Sequence, residues 1–244
     1  MELGHTSSPI RGTIAADWQA GASGAVELPA QRKLGVGVYT RASLAQYDLG
    51  VVKLSCTLLW RCPGRVIEAH YARNVSANHL DVGVGTGYFL DRVAFPAAAP
   101  SLALFDLSEN SLTFTAARLA RYRPLTVQGD VLRPLGRPIG EFDSIGMNFL
   151  LHCLPGPMSR KAAAFDTIAP ALRPGGTLFG ATLVTSGRGI PIQARAWMRM
   201  YNAAGIFGNA TDSADELRTE LGARFDDVHV EMRGAMALFT ARGR

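Results

Sequence analysis

Cysteine is scarce in this 244-residue chain, which has only Cys56, Cys62 and Cys153. An odd count without metal-ligand spacing argues against a disulfide framework and against a zinc site. Cys56 and Cys62 stand in an apolar stretch and read as small core residues in a reducing compartment. No His/carboxylate cluster suggests a metal, and none is expected. Long apolar runs are also missing. No stretch reaches the ~18 residues needed to span a bilayer, so no membrane association is expected. The first residues include Glu2, His5 and Asp17 rather than a basic-then-apolar run, which reads as no secretory signal. A cytoplasmic protein is the expectation. Lysine occurs only at Lys33, Lys53 and Lys161, so arginine makes up nearly all of the 25 basic residues. The net charge of +5 and pI near 9.4 raise the question of nucleic acid. The arginines are dispersed, however, without a run of five basic residues. With abundant alanine and glycine they read as the codon usage of a GC-rich genome and as a solvated surface. No nucleic-acid partner is expected.

What the chain does have is length and apolar content, 48% hydrophobic residues, enough for one large α/β domain with a well-buried core. Residues 1–35 are rich in Gly, Ala, Ser and Pro, lack a period, and read as a flexible or lid-like arm. Residues 36–244 read as a single domain. Within it, 36–76 form a helical cap, since apolar residues recur at helical spacing over 41–60 and a second helix covers 66–74. Residues 77–185 alternate strands with helices. Strands are predicted at 78–82, 102–106, 125–128, 142–149 and 177–185, and helices after the first glycine run, from Ser108 to Tyr122, and over 158–172. Pro174-Gly175-Gly176 reads as a tight turn. Residues 186–222 add two helices, near 192–204 and 213–221. Residues 223–244 form a hairpin around Arg233-Gly234. Such alternation predicts a mostly parallel sheet covered on both faces.

The central chemical signal is a strand running into Asp81-Val82-Gly83-Val84-Gly85-Thr86-Gly87 and then a helix. Glycines allow a sharp turn and close approach of a ligand, and the helix N-terminus offers unpaired N–H groups. A pyrophosphate or the amino-acid end of S-adenosylmethionine fits such a loop. The dinucleotide spacing G-x-G-x-x-G/A fails, because Tyr88 stands where its third small residue belongs. Asp81 would repel a pyrophosphate and suits an ammonium group.

These residues resemble the class I S-adenosylmethionine-dependent methyltransferases of small-molecule type, over about 78–242. Leu80 to Gly87 is similar to that family's first motif. Asp106 ends the second strand where the family holds the ribose hydroxyls. Gly129-Asp130-Val131 matches the adenine segment, Phe142 to Pro155 the fourth-strand region, and Leu172 to Leu178 the turn into the fifth strand. The resemblance implies a Rossmann-like three-layer α/β sandwich: a mostly parallel seven-stranded sheet with a C-terminal antiparallel hairpin. It implies S-adenosyl-L-methionine as cofactor and S-adenosyl-L-homocysteine as product. The cofactor residues it implies are Asp81, Gly83, Gly85, Gly87, Asp106, Leu107, Asp130, Val131 and Asn148, with Tyr39 as a lid over the sulfonium.

On the acceptor side, His152 follows the fourth strand, and an imidazole of ordinary pKa near 6.5 suits a proton acceptor. It is the candidate catalytic residue and also a candidate acceptor contact. Cys153 reads as a packed neighbour. Trp197, Tyr201 and Phe207 form an apolar, aromatic acceptor wall in the 186–222 insertion. Core packing is the competing explanation for Tyr47 and for part of that wall. A small-molecule acceptor, of secondary metabolism, is the first expectation. Methylation of RNA or protein is one alternative, and a non-catalytic cofactor-binding protein another. The acceptor atom and the oligomeric state are not legible.

Overall fold

The computed structural model describes residues 55–136, 138–187 and 189–244. The 1–35 arm, Tyr39, Tyr47 and most of the expected 41–60 helix lie outside the described residues. Of that helix, residues 55–59 form a wide turn closed by the Trp60 N–H on the Ser55 carbonyl at 2.8 Å, a π-type spacing.

Helix α1 (Gly64–Asn74) leads into β1 (Asn78–Val82), α2 (Tyr88–Arg92) and β2 (Ser101–Asp106). Next come α3 (Glu109–Arg118), β3 (Leu125–Gln128) and β4 (Phe142–Asn148). Helices α4 (Met158–Lys161) and α5 (Ala163–Ile168) precede β5 (Leu172–Leu183). Helices α6 (Ile192–Ala203) and α7 (Ala214–Gly222) precede the hairpin β6 (Asp226–Arg233) and β7 (Met236–Arg242). The seven strands lie in the order β3-β2-β1-β4-β5-β7-β6. β1 to β5 are parallel, and β7 runs antiparallel between β5 and β6. This is the Rossmann-like fold that the family resemblance implies, with the mostly parallel sheet that the alternating pattern predicts. Among the described residues no helix is long and apolar enough to cross a membrane.

Burial follows from the topology. The central strand β1 is buried from His79 to Val82, as a strand covered on both faces must be, whereas the edge strand β6 is largely exposed or half-buried. The N-cap of α3 is also as expected, with Ser108 Oγ accepting the Ser111 N–H at 3.3 Å. Three local expectations need correction. The helix expected to run to Tyr122 ends at Arg118 and tightens into a 3₁₀ turn. The helix expected over 158–172 is α4, α5 and a 3₁₀ turn holding Pro170, whose missing N–H cannot continue an α-helix. Pro174-Gly175-Gly176 is a bulge within β5 rather than a turn before it. Leu172 pairs with Phe142 and Thr177 with Ser144, so the intervening residues loop out, with Gly175 at φ +72°.

The order reverses between β1 and β4, since the chain builds outward to β3 on one side and then crosses to the other. Open α/β sheets bind ligands at the carboxyl ends of strands beside such a switch point.

Gly180 tests the packing of the central sheet. It lies in β5 between β4 and β7, and an added Cβ would stand 2.2 Å from the Met147 carbonyl oxygen and 2.5 Å from Phe239. Gly180→Ala should cost about 3 kcal/mol or more in urea unfolding. Gly136→Ala, where the added carbon meets nothing within 4 Å, should stay within about 0.5 kcal/mol of the parent.

Candidate active site

The loop after β1 turns back over the sheet. The Gly83 N–H donates to the Phe105 carbonyl at 2.8 Å, which fastens the start of the loop to β2. Gly83 and Gly87 have φ of +73° and +66° and no room for a side chain. A Cβ on Gly83 would come 2.8 Å from Leu150, and one on Gly87 2.6 Å from Thr115. Helix α3 holds the loop from the other side. Thr115 Oγ1 donates to the Gly85 carbonyl at 2.9 Å, and Arg118 Nη1 to the Thr86 carbonyl at 2.8 Å.

Asp106 ends β2 beneath this loop. Its Oδ1 accepts the Ser108 N–H at 2.8 Å and its Oδ2 the Gly85 N–H at 3.4 Å. Burial pushes the carboxyl up to about 6, against the pull of these N–H donors, and the Asp81 charge adds to the rise. Asp81, near the end of β1, is buried, and its Oδ1 accepts the Tyr71 hydroxyl hydrogen from α1. At the end of β4, Asn148 is buried and both polar atoms of its amide lack a hydrogen-bond partner among the described residues. At the end of β3, Asp130 Oδ1 accepts the Leu132 N–H at 2.9 Å, and Arg133 Nε lies 3.6 Å from Oδ2. Val131 is buried next to it, and the Leu107 carbonyl accepts from Gln128 Nε2 at 3.1 Å. The sheet therefore gathers Asp81, the three loop glycines, Asp106, Leu107, Asp130, Val131 and Asn148 at the carboxyl ends of four adjacent strands. A group with an ammonium, a diol and a planar base fits this donor and acceptor set. The orphaned amide of Asn148 is the sign that something polar belongs there.

The acceptor candidates are only partly gathered. His152 sits in a 3₁₀ turn after β4, Leu151–Cys153, with its ring between two aromatic edges. Phe207 meets it at 4.7 Å between centroids and Phe149 at 5.9 Å, both nearly perpendicular. Tyr201 packs on Phe207 at 4.9 Å, and Trp197 on Tyr201 at 5.8 Å, but Trp197 is 44% exposed and stands at the outer end. The buried Trp60, not expected here, approaches Phe207 at 6.4 Å. His152 does not keep an ordinary imidazole pKa. Burial, reinforced by the Lys161 charge, lowers it to about 3. Its Nδ1 receives the Leu183 N–H at 3.4 Å and lies 3.3 Å from Thr182 Oγ1. The ring is neutral at neutral pH, with its proton on Nε2. The Cys153 thiol packs on the Phe149 carbonyl at 3.6 Å, and burial pushes it up to about 12, so it stays protonated. Among the described residues no group of three or more His, Cys, Asp or Glu side chains is arranged to hold a metal.

Sequence reasoning missed the pair that fastens the acceptor side. Lys161 Nζ lies 2.5 Å from Asp212 Oδ2, and both side chains are fully buried. Burial lowers the lysine and pushes Asp212 up to about 6, and their mutual attraction opposes both shifts without cancelling them. Asp212 Oδ1 has no partner among the described residues. Around the pair, the Thr185 and Ser186 N–H groups bond the Asp212 carbonyl, Asn209 Nδ2 bonds the Leu183 carbonyl, and the Gly208 N–H bonds the His152 carbonyl. Removing one partner should strand a buried charge. Asp212→Ala should cost about 3–5 kcal/mol in urea unfolding, while Lys161→Met with Asp212→Leu should be neutral or stabilising.

The sequence profile of the family described as "Methyltransferase domain" matches residues 80–178. The chain is 42% identical over 205 residues to the demethylluteothin O-methyltransferase of Streptomyces thioluteus, covering 83% of this chain and 88% of that protein. It is 35% identical over 209 residues to the physcion biosynthesis cluster O-methyltransferase of Aspergillus chevalieri, covering 85% and 94%. Among solved structures, the DhpI–SAH complex superposes with a TM-score of 0.61 at 17% identity, over 86% of this chain and 96% of that one. Human N-acetylserotonin methyltransferase gives 0.60 at 14% identity, over 88% and 60%. At these identities the two structures speak for the fold, and the two sequence relatives for descent. The chain belongs to the class I S-adenosylmethionine-dependent methyltransferases.

Proposed function

We propose that this methyltransferase O-methylates a small, planar, largely apolar molecule of secondary metabolism through an acidic hydroxyl group. The observation that carries the reading is the ring sequence Phe149, His152, Phe207 and Tyr201 beside the carboxyl end of β4. Such a wall suits a flat apolar body. The two O-methyltransferase relatives named above point to oxygen as the acceptor atom.

S-adenosylmethionine supplies a methyl group already activated on a sulfonium. The chain's residues bind it, align the acceptor and exclude water. In this reading Asp106 accepts the ribose hydroxyls, Asp81 faces the ammonium end, and Asp130 with Val131 frames the base. The Asn148 amide finds its missing partners in the same molecule. His152 is a weak base, with its Nδ1 lone pair turned to the Leu183 N–H. It acts as an Nε2–H donor that orients the acceptor oxygen, and the acceptor's own acidity supplies the oxyanion. Phe207, Tyr201 and the outlying Trp197 shape the acceptor's far side.

Turnover with methyl-labelled cofactor over matched aromatic phenols, enols, amines and thiols tests this. Transfer to acidic hydroxyls is expected. Transfer confined to amines or thiols, to RNA or to protein would overturn the reading. His152→Gln, which keeps a donor, should retain more activity than His152→Ala.

Cofactor affinity should also depend on pH in a direction set by Asp106. Diol hydroxyls donate to its ionised form, so affinity is full above about 7 and falls as pH drops through about 6. Titration calorimetry with S-adenosylhomocysteine should show that fall. Asp106→Asn should abolish it and weaken binding at neutral pH by about 2 kcal/mol, roughly 30-fold in Kd.

A further inference from the structure

Tyr71 lies on α1 and is 2% exposed. A tyrosine buried this deeply would ordinarily be read as core. Its ring is held by Phe179, edge-on at 5.1 Å, and by Phe89, stacked at 6.4 Å. Its hydroxyl, however, is committed to one atom, Oδ1 of Asp81, two residues before Gly83. The space for that carboxylate is made by Gly146 across the β1–β4 pairing, where a Cβ would stand 2.8 Å from the same Oδ1. His79 Nε2 is 3.8 Å from Oδ1, beyond hydrogen-bond reach, and has no hydrogen-bond partner among the described residues. The amide of Asn148 also lacks a hydrogen-bond partner among them, and the contacts made by Asp81 fall on Oδ1. That amide lies near enough to the Tyr71 hydroxyl to affect its ionisation without meeting hydrogen-bond geometry.

A carboxylate at this depth with two free oxygens would be costly and free to rotate about its bond to Cβ. One charge-assisted bond from a rigid phenol fixes the rotation and leaves a single oxygen for a cation. We propose that Tyr71 is a positioning residue for the aminoacyl end of the cofactor: its hydroxyl pins Asp81 Oδ1 so that Oδ2 meets the ammonium group. This rests on reading the glycine loop as the cofactor site. It adds a residue from outside the 80–178 match, on the helix that precedes β1.

The test compares two ligands that share the nucleoside thioether. S-adenosylhomocysteine carries the aminoacyl chain and 5′-methylthioadenosine lacks it. Tyr71→Phe keeps the ring contacts and removes the hydroxyl. In titration calorimetry it should weaken S-adenosylhomocysteine about tenfold and leave 5′-methylthioadenosine within about twofold. Asp81→Asn should show the same selectivity, and adding Tyr71→Phe to it should cost less than Tyr71→Phe alone. Equal loss for both ligands, or no loss for either, would overturn the proposal. Should Tyr71→Phe fail to fold, Asp81→Asn carries the test alone, and loss of methylthioadenosine affinity there is the refuting result. If the parent protein binds neither ligand, the cofactor site itself is misread, and Tyr71 falls with it.

Discussion

The structure turns on a carboxylate that the fold half-buries and then only partly compensates. Asp106 closes β2 in surroundings that raise its pKa to about 6. Its two oxygens are bonded by N–H groups from opposite directions, Gly85 in the loop and Ser108 at the start of α3. These bonds tie the glycine loop, the end of β2 and the first turn of α3 into one piece. Above pH 6 the ionised side chain is a cost to the ligand-free fold, because its folded pKa is raised above the unfolded value and its favourable contribution is lost as pH rises. Two donor hydroxyls from a bound ribose would offset that cost. The same desolvation that strains the ligand-free protein thereby strengthens the binding.

The acceptor side follows the opposite rule. Most of its polar groups are satisfied internally, Asp212 Oδ1 excepted, and its surface is made of rings. Asn209 bonds the Leu183 carbonyl and accepts from Asn202, Gly208 bonds the His152 carbonyl, and His152 accepts from Leu183. The buried Lys161–Asp212 pair joins α4 to the segment that follows Phe207. A pair whose desolvation exceeds its attraction does not earn its place through stability. It fixes where the segment lies, and with it the edge-on placement of Phe207 against His152.

Local chemistry was legible and distant pairing was not. The glycine run, the acids at strand ends and the Ser108 cap are set by neighbours within a few residues, and the sequence predicts each of them. The parallel part of the sheet followed from alternation, because strands covered on both faces leave continuous apolar runs. Tyr71 looked like one more residue on a helix face, since nothing local reveals that its hydroxyl meets Asp81 across the α1–β1 connection. Lys161 and Asp212 are separated by α5, β5 and α6, and one of three lysines in an arginine-rich chain gives no hint of its partner. The ordinary pKa assumed for His152 failed for the same reason: burial and a neighbouring ammonium belong to the fold, not to the motif. The bulge at Pro174-Gly175-Gly176 resembled a turn because turn and bulge ask the same of glycine.

The two sides share the β1–β4 pairing, where Gly146 makes room for Asp81. The cofactor-side bonds run among β1, β2, α3 and the glycine loop, whereas the acceptor-side bonds run among β4, β5, α6 and the segment before α7. They also meet at Phe149. It stacks on Phe89 of α2 at 5.7 Å, meets His152 on its other side, and takes a left-handed φ of +59° that a bulky residue adopts only when its surroundings hold it there. A backbone held in that state sets the distance between the glycine-loop end of the sheet and the aromatic wall. In the proposed function, changes in α6 or in the Phe207 segment would alter which flat molecule is accepted while Asp81 and Asp106 keep their partners. That arrangement suits a chain whose relatives include the demethylluteothin and physcion biosynthesis cluster O-methyltransferases.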